Sequence, residues 1–176
     1  MVQIGRFVLA IVFVWALVLG STVCAQVAPV RQQIVDIARS QIGVREVGNN
    51  AGPRVEHYQR LVGIRKGDAW CMAFTYFCFD SAGVYVVKSG WVPSWFPKAK
   101  LVVRQGYEIQ QPLPGDVGGL YYRRLGRYAH GFIIEKWGNV VLTIEGNTNA
   151  QGARDGNGVW RRRRLKSQIP VVSRWV

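Results

Sequence analysis

The side chains with the most chemical reach in this 176-residue sequence are three thiols, Cys24, Cys71 and Cys78, and two imidazoles, His57 and His130. Gly138-Asn139 reads as a two-residue hairpin turn between the strand-like runs His130–Trp137 and Val140–Glu145. With those two residues as the turn, Trp137 faces Val140 and facing positions sum to 277. His130 then faces Asn147, and Phe132 faces Glu145. Side chains two apart on a strand share a face, so His130, Glu145 and Asn147 project together, with Glu145 diagonal to the imidazole. An imidazole flanked by a carboxylate and an amide is an oriented base. The competing reading is an ordinary polar strand face, and a one-residue bulge would break the register.

Cys71 supplies a nucleophile for that base. Trp70 to Ala82 is almost continuously apolar, which predicts a helix buried nearly all round, with Asp68 as N-cap and Gly83 as stop. Cys71 then lies in the first turn, where unpaired N–H groups and the helix dipole stabilise a thiolate and can donate to an oxyanion. The charge of Asp68 works against the thiolate. Beside an imidazole, Cys71 would attack a carbonyl while His130 acts first as base and then as acid to the leaving amine. The competing reading is a thiol that is merely buried. Cys78, two turns deeper among Phe74, Phe77 and Phe79, reads as an inert core thiol. Seven residues of helix rise about 10 Å, beyond the roughly 7 Å that a disulfide spans, so the two cannot bridge on one helix. His57 has no acidic or thiol partner in sequence and reads as a surface or helix-packing residue.

The elements that must position these groups come as helices first and strands afterwards. Val30 to Gly43 carries Val30, Ile34, Ile37, Ala38 and Ile42 at helical spacing. Pro53 opens a second helix with Val55, Tyr58, Leu61 and Val62, ending at Gly63, and Gly48 to Pro53 is a loop. After Gly83 short extended runs follow: Pro112 to Asp116 is a turn feeding Val117–Tyr122, Gly126 marks a loop, and Gly158–Leu165 and Val171–Trp175 are two more strands. The fold class expected is α+β, with N-terminal helices packed on one side of a small antiparallel sheet and residues 26–176 as a single domain.

The N-terminus reads as a secretory signal: Arg6, an uncharged run from Phe7 to Leu19, then Val23 and Ala25 before a cleavage site at Gln26. A retained anchor would need about 20 apolar residues; a lipid-modified Cys24 is the third option, with Val23 a poor residue before it. No other segment is long and apolar enough to span a membrane. Export would expose Cys71 and Cys78 to oxidising surroundings, so at least one of them is a free thiol kept either for burial or for reactivity. Net charge is +13, and losing Arg6 with the leader leaves +12, which implies a polyanionic partner. For an exported protein that partner is a cell-wall glycopolymer or envelope lipid rather than nucleic acid, unless the charge serves only solubility.

Ala69-Trp70-Cys71-Met72-Ala73-Phe74, then Pro114-Gly115-Asp116, His130-Gly-Phe-Ile-Ile134 and Thr143-Ile-Glu145-Gly-Asn147-Thr148 occur in that order. Together they resemble the CHAP family of cysteine, histidine-dependent amidohydrolases/peptidases, from about Ile34 to Thr148. The resemblance implies a papain-like (CHAP/NlpC-like) α+β domain that hydrolyses amide or peptide bonds in peptidoglycan. It implies Cys71 as nucleophile, His130 as base, Glu145 as the residue orienting the imidazole and Asn147 as a supporting polar group. The segment Asp116 to Tyr122 and the basic insert Arg123-Arg-Leu-Gly-Arg127 depart from a minimal member and bear on substrate preference.

Candidate substrate-binding residues are Trp70, Trp91 and Trp95, to which Trp137 can be added, with Arg123, Arg124 and Arg127; the alternative for the tryptophans is core packing. Arg161 to Arg164 on a strand would point alternately to both faces. No Cys/His spacing resembles a zinc site and no glycine-rich run resembles a phosphate loop, so neither metal nor cofactor is expected. A monomer is the default. Two other function classes compete: a catalytically silent module that binds wall polymer, and an amidase acting on a small non-wall amide.

Overall fold

Residues 29–40 form α1, and Ile34, Val35 and Ala38 bury one stripe of it. The computed structural model describes residues 29–176; the expected leader, residues 1–25, lies outside the described residues. Pro53, whose fixed φ suits a first helical position, opens α2 (Pro53–Leu61), which buries Val55, Tyr58 and Gln59. The third helix, α3 (Cys71–Ser81), buries Cys71, Met72, Ala73, Phe74, Thr75, Cys78 and Phe79. That broad burial follows from an apolar run with almost no polar face.

Seven strands follow: β1 (Leu101–Arg104), β2 (Tyr107–Glu108), β3 (Val117–Tyr122), β4 (Arg127–Lys136), β5 (Val140–Thr148), β6 (Gly158–Leu165) and β7 (Val171–Ser173). They form one sheet in the order β2-β1-β7-β3-β4-β5-β6, with every recorded neighbour antiparallel. The described residues are therefore α+β, three α-helices with a seven-stranded antiparallel sheet. Among the described residues no helix is long and apolar enough to cross a membrane.

The helices pack on one face of the sheet, where Ile34, Tyr58, Phe74 and Phe79 meet Val117, Ile133, Ile144 and Val171. A smaller core of Val102, Val103, Phe132, Ile134, Val141, Ile169 and Val172 lies on the opposite face. This second core explains why the middle of β4 reads as a continuous apolar run rather than an alternating one. Asp116, fully buried, clamps the frame: it accepts from Arg31 of α1 (2.8 Å), from Arg174 beyond β7 (2.9 Å) and from the N–H of Leu113 (2.9 Å).

The β4–β5 ladder pairs Ile133 with Ile144 and Ile134 with Thr143, the offset expected from the hairpin reading. Nearer the turn the offset changes by one, because Lys136 pairs with Leu142. The connection is thus three residues, 137–139, compensated by a bulge at Glu135, and not a tight two-residue turn.

Candidate active site

The first turn of α3 is fixed from a distance. Trp70 is its N-cap, and its N–H donates to Asn147 Oδ1 at 3.1 Å. Asn147 Nδ2 in turn donates to Asn50 Oδ1 (2.8 Å) and to the carbonyl of Gly156 (3.0 Å). The Trp70 indole N–H donates to Glu46 Oε1 (2.8 Å), and Gln59 Nε2 donates to the carbonyls of Asn50 (2.9 Å) and Asp68 (2.8 Å). Asp68 is not the cap: its carboxylate accepts the N–H of Arg65 (2.8 Å) and closes the preceding turn. Cys71 is consequently the first helical residue, with the unpaired N–H groups of the first turn around it.

Two glycines let that turn press onto the sheet. A Cβ on Gly131 would stand 2.3 Å from Met72 Sδ, and one on Gly146 would stand 2.7 Å from Phe74 Cβ and 2.8 Å from Trp70 Cζ3. Gly131 follows His130 and Gly146 follows Glu145, so the helix docks at the two strand positions beside the imidazole and the carboxylate. A β-bulge at Ala129, where Leu120 pairs with His130 but Tyr121 pairs with Tyr128, re-aims the chain immediately before the imidazole.

His130 and Glu145 are fully buried, and His130 Nε2 lies 2.9 Å from Glu145 Oε2. This leaves Nδ1, buried and otherwise unpartnered, as the ring atom available to Cys71. Glu145 is saturated with donors. Thr143 Oγ1 donates to Oε1 (2.5 Å), and Arg164 forks across both oxygens, Nε to Oε1 and Nη2 to Oε2, each at 2.6 Å. Burial pushes this carboxyl up, but hydrogen bonds and charge from His130 and Arg164 outweigh it and hold its pKa down at about 2. Burial lowers His130, yet the neighbouring Cys71 thiol and Glu145 carboxylate, which favour its charged form, raise it to about 9. The Cys71 thiol is pushed up by burial and pulled further down by His130 and by the N–H groups of Gly131 and Met72, ending below its ordinary value. Burial raises Cys78 well above that value, and it is unbridged and fully enclosed. The arrangement can therefore hold a thiolate–imidazolium pair at one thiol and not at the other.

A cleft of about 350 Å³ opens at Cys71, lined among others by Ile64, Asp68, Trp91, Arg127, Ala129 and Arg154. Trp91 is half exposed, and the Arg127 guanidinium lies 4.2 Å from its ring centre. No protein-family model, no curated protein and no solved structure matches the chain. Its chemistry has to be read from this constellation.

Several sequence expectations are redistributed. Trp70 and Trp95 are fully buried and cannot line a groove; their indole N–H groups are spent on Glu46 and on the carbonyl of Ser89. Arg123 and Arg124 sit on an exposed turn and are not part of the lining. Trp137 leans on the smaller core and donates to Glu108, 3.0 Å away. Asn147 does not join His130: a φ of 56° takes it out of strand alternation, and its amide serves the Cys71 turn instead. His57 packs against Phe77, ring centres 5.8 Å apart. Among the described residues no three His, Cys, Asp or Glu side chains assemble as a metal-binding group.

Sequence reasoning missed Arg164, Thr143 and Arg154. The signal for Arg164 was available in part, since a buried glutamate demands a cation and alternation sends Arg162 and Arg164 to one face of β6. Arg161 serves a different acid, Glu135, at 2.7 Å.

Proposed function

We propose that this protein is an exported hydrolase of amide or peptide bonds in peptidoglycan, a papain-like domain of CHAP type working with a cysteine nucleophile and a histidine base. The observation that carries the reading is the Cys71, His130 and Glu145 row, buried behind and open in front onto a cleft. Cys71 Sγ attacks the carbonyl carbon, and first-turn N–H groups of α3 receive the developing oxyanion. His130 passes its proton to the leaving amine, and the acyl-thioester is then hydrolysed by a water from which His130 takes a proton. Glu145 keeps the ring oriented and its positive charge compensated throughout. A cleft edged by Trp91, Arg127 and Arg154 suits a substrate with carboxylates near the scissile bond, and the strong positive net charge, +13 for the full sequence, favours an anionic polymer.

The test is mass spectrometry of purified peptidoglycan after incubation with the mature chain under reducing conditions, beside Cys71→Ala. New muropeptides that vanish in the variant are expected, and their masses name the bond. Sedimentation with sacculi that is unaffected by Cys71→Ala and releases no product would instead identify a binding module. Thiol-dependent cleavage of a small amide alone would move the substrate away from the wall.

A further inference from the structure

We infer that Arg164 is a positioning residue for the thiol chemistry, the fourth member of a row Cys71, His130, Glu145, Arg164 whose charges alternate in sign and sum to zero. The inference rests on the reading of Cys71 as nucleophile. Its basis is the fork described above: Arg164, with a side chain only 10% exposed, covers both oxygens of a carboxylate that is itself 0% exposed. The planar fork fixes where Oε2 points, and Oε2 is the atom that holds His130 Nε2.

Charge counting gives the guanidinium a second task. With thiolate, imidazolium, carboxylate and guanidinium all present, the buried row is neutral. Without Arg164 it carries one net negative charge on largely buried groups, which favours uptake of a proton. Of the two anions the thiolate is the stronger base by about four pH units in its ordinary state, so the proton goes to Cys71 and the nucleophile is lost. The other polar groups facing the row do not replace Arg164. Tyr122 of β3 is kept neutral by burial, while Arg154 and Asp155, in the β5–β6 loop, are paired with each other. Arg162, on the same face of β6, donates to the carbonyl of Ala150, and Asp68 is turned to the N–H of Arg65. Arg127 at the cleft is held over Trp91.

The experiment is the rate of Cys71 alkylation by iodoacetamide against pH, read by mass spectrometry of the Cys71 peptide, with folding followed by thermal melting. The native chain is expected to react at neutral pH with a midpoint below that of a free cysteine. Arg164→Gln is expected to move the midpoint up by at least about one pH unit, a tenfold loss of thiolate at any pH below both midpoints. Arg164→Lys, which keeps the charge without the fork, is expected to fall between them. The paired substitution Glu145→Gln with Arg164→Gln leaves no uncompensated buried charge and is expected to bring the midpoint back toward the native one. It carries the test if Arg164→Gln melts below the assay temperature. A folded Arg164→Gln protein with the native midpoint, or a paired variant shifted as far as Arg164→Gln, overturns the role of Arg164 and leaves the nucleophile standing. A native Cys71 no more reactive at neutral pH than free cysteine overturns both.

Discussion

Substituting Gly146 by alanine should do more damage than its one methyl group suggests. The added Cβ would meet Phe74 Cβ at 2.7 Å and Trp70 Cζ3 at 2.8 Å. Neither neighbour can step aside by rotating: Phe74 Cβ is fixed to the helix backbone, and the Trp70 ring is pinned by its indole bond to Glu46. Carbon pairs rest at about 3.5–4.0 Å, so α3 must back off the strand by about 1 Å. Overpacking of this kind costs about 2 kcal/mol, which for a chain of this size lowers the melting temperature by roughly 4–8 °C. The same displacement carries Cys71 away from His130, and a 1 Å misplacement of reacting groups costs on the order of 100-fold in turnover. Urea denaturation and muropeptide release measured on one preparation give both numbers. Gly138→Ala is the control, because its Cβ would meet nothing closer than the Val140 carbonyl oxygen at 3.5 Å, and its effect should stay within about 0.5 kcal/mol. A Gly146→Ala protein with native stability and native turnover would refute the argument that the helix docks through this glycine.

Three further outcomes are expected. Glu145 has a folded pKa of about 2 against an ordinary 4.5, so its stabilisation is fully present above pH 4.5 and fades as pH falls toward 2; this contributes on the order of 3 kcal/mol of acid sensitivity, and acid melts of Glu145→Gln should lack that component. Asp116→Asn leaves Arg31 and Arg174 without their shared buried carboxylate and should cost about 3 kcal/mol by urea denaturation, with little change in the rate of Cys71 alkylation at temperatures where the fold persists. Trp91→Ala should raise KM about tenfold with kcat nearly unchanged, since the ring borders the cleft without touching His130 or Glu145; a fall in kcat alone would contradict that placement.

Much of this architecture was legible in local pattern. The uninterrupted apolar run after Trp70 made α3 a buried helix, Val117–Tyr122 and Gly158–Leu165 appear with the bounds expected, and the β4–β5 offset brought His130 and Glu145 onto one face. What escaped was set by tertiary contacts. The start of α3 depends on Asn147, 77 residues away in the chain, whose Oδ1 takes the Trp70 N–H that Asp68 was expected to help satisfy. The β1–β2 hairpin turns through Gln105 and Gly106 at φ of 52° and 85°, and glutamine gives little warning of a left-handed position. Tryptophan type alone does not separate Trp91 at the cleft from Trp70 and Trp95 in the core. Arg164 could be assigned to a face of its strand by alternation, but the acid it meets became known only once β6 was paired with β5.

The central claim is that Cys71, and not Cys78, does the chemistry on wall amides. Its most direct test is to alkylate the folded protein with substoichiometric to excess iodoacetamide at neutral pH, and to compare label at each cysteine with residual muropeptide release. Release should fall in proportion to label on Cys71, with Cys78 unmodified until the fold is melted. Full release from protein alkylated at Cys71, or loss of release tracking label on Cys78, would contradict it.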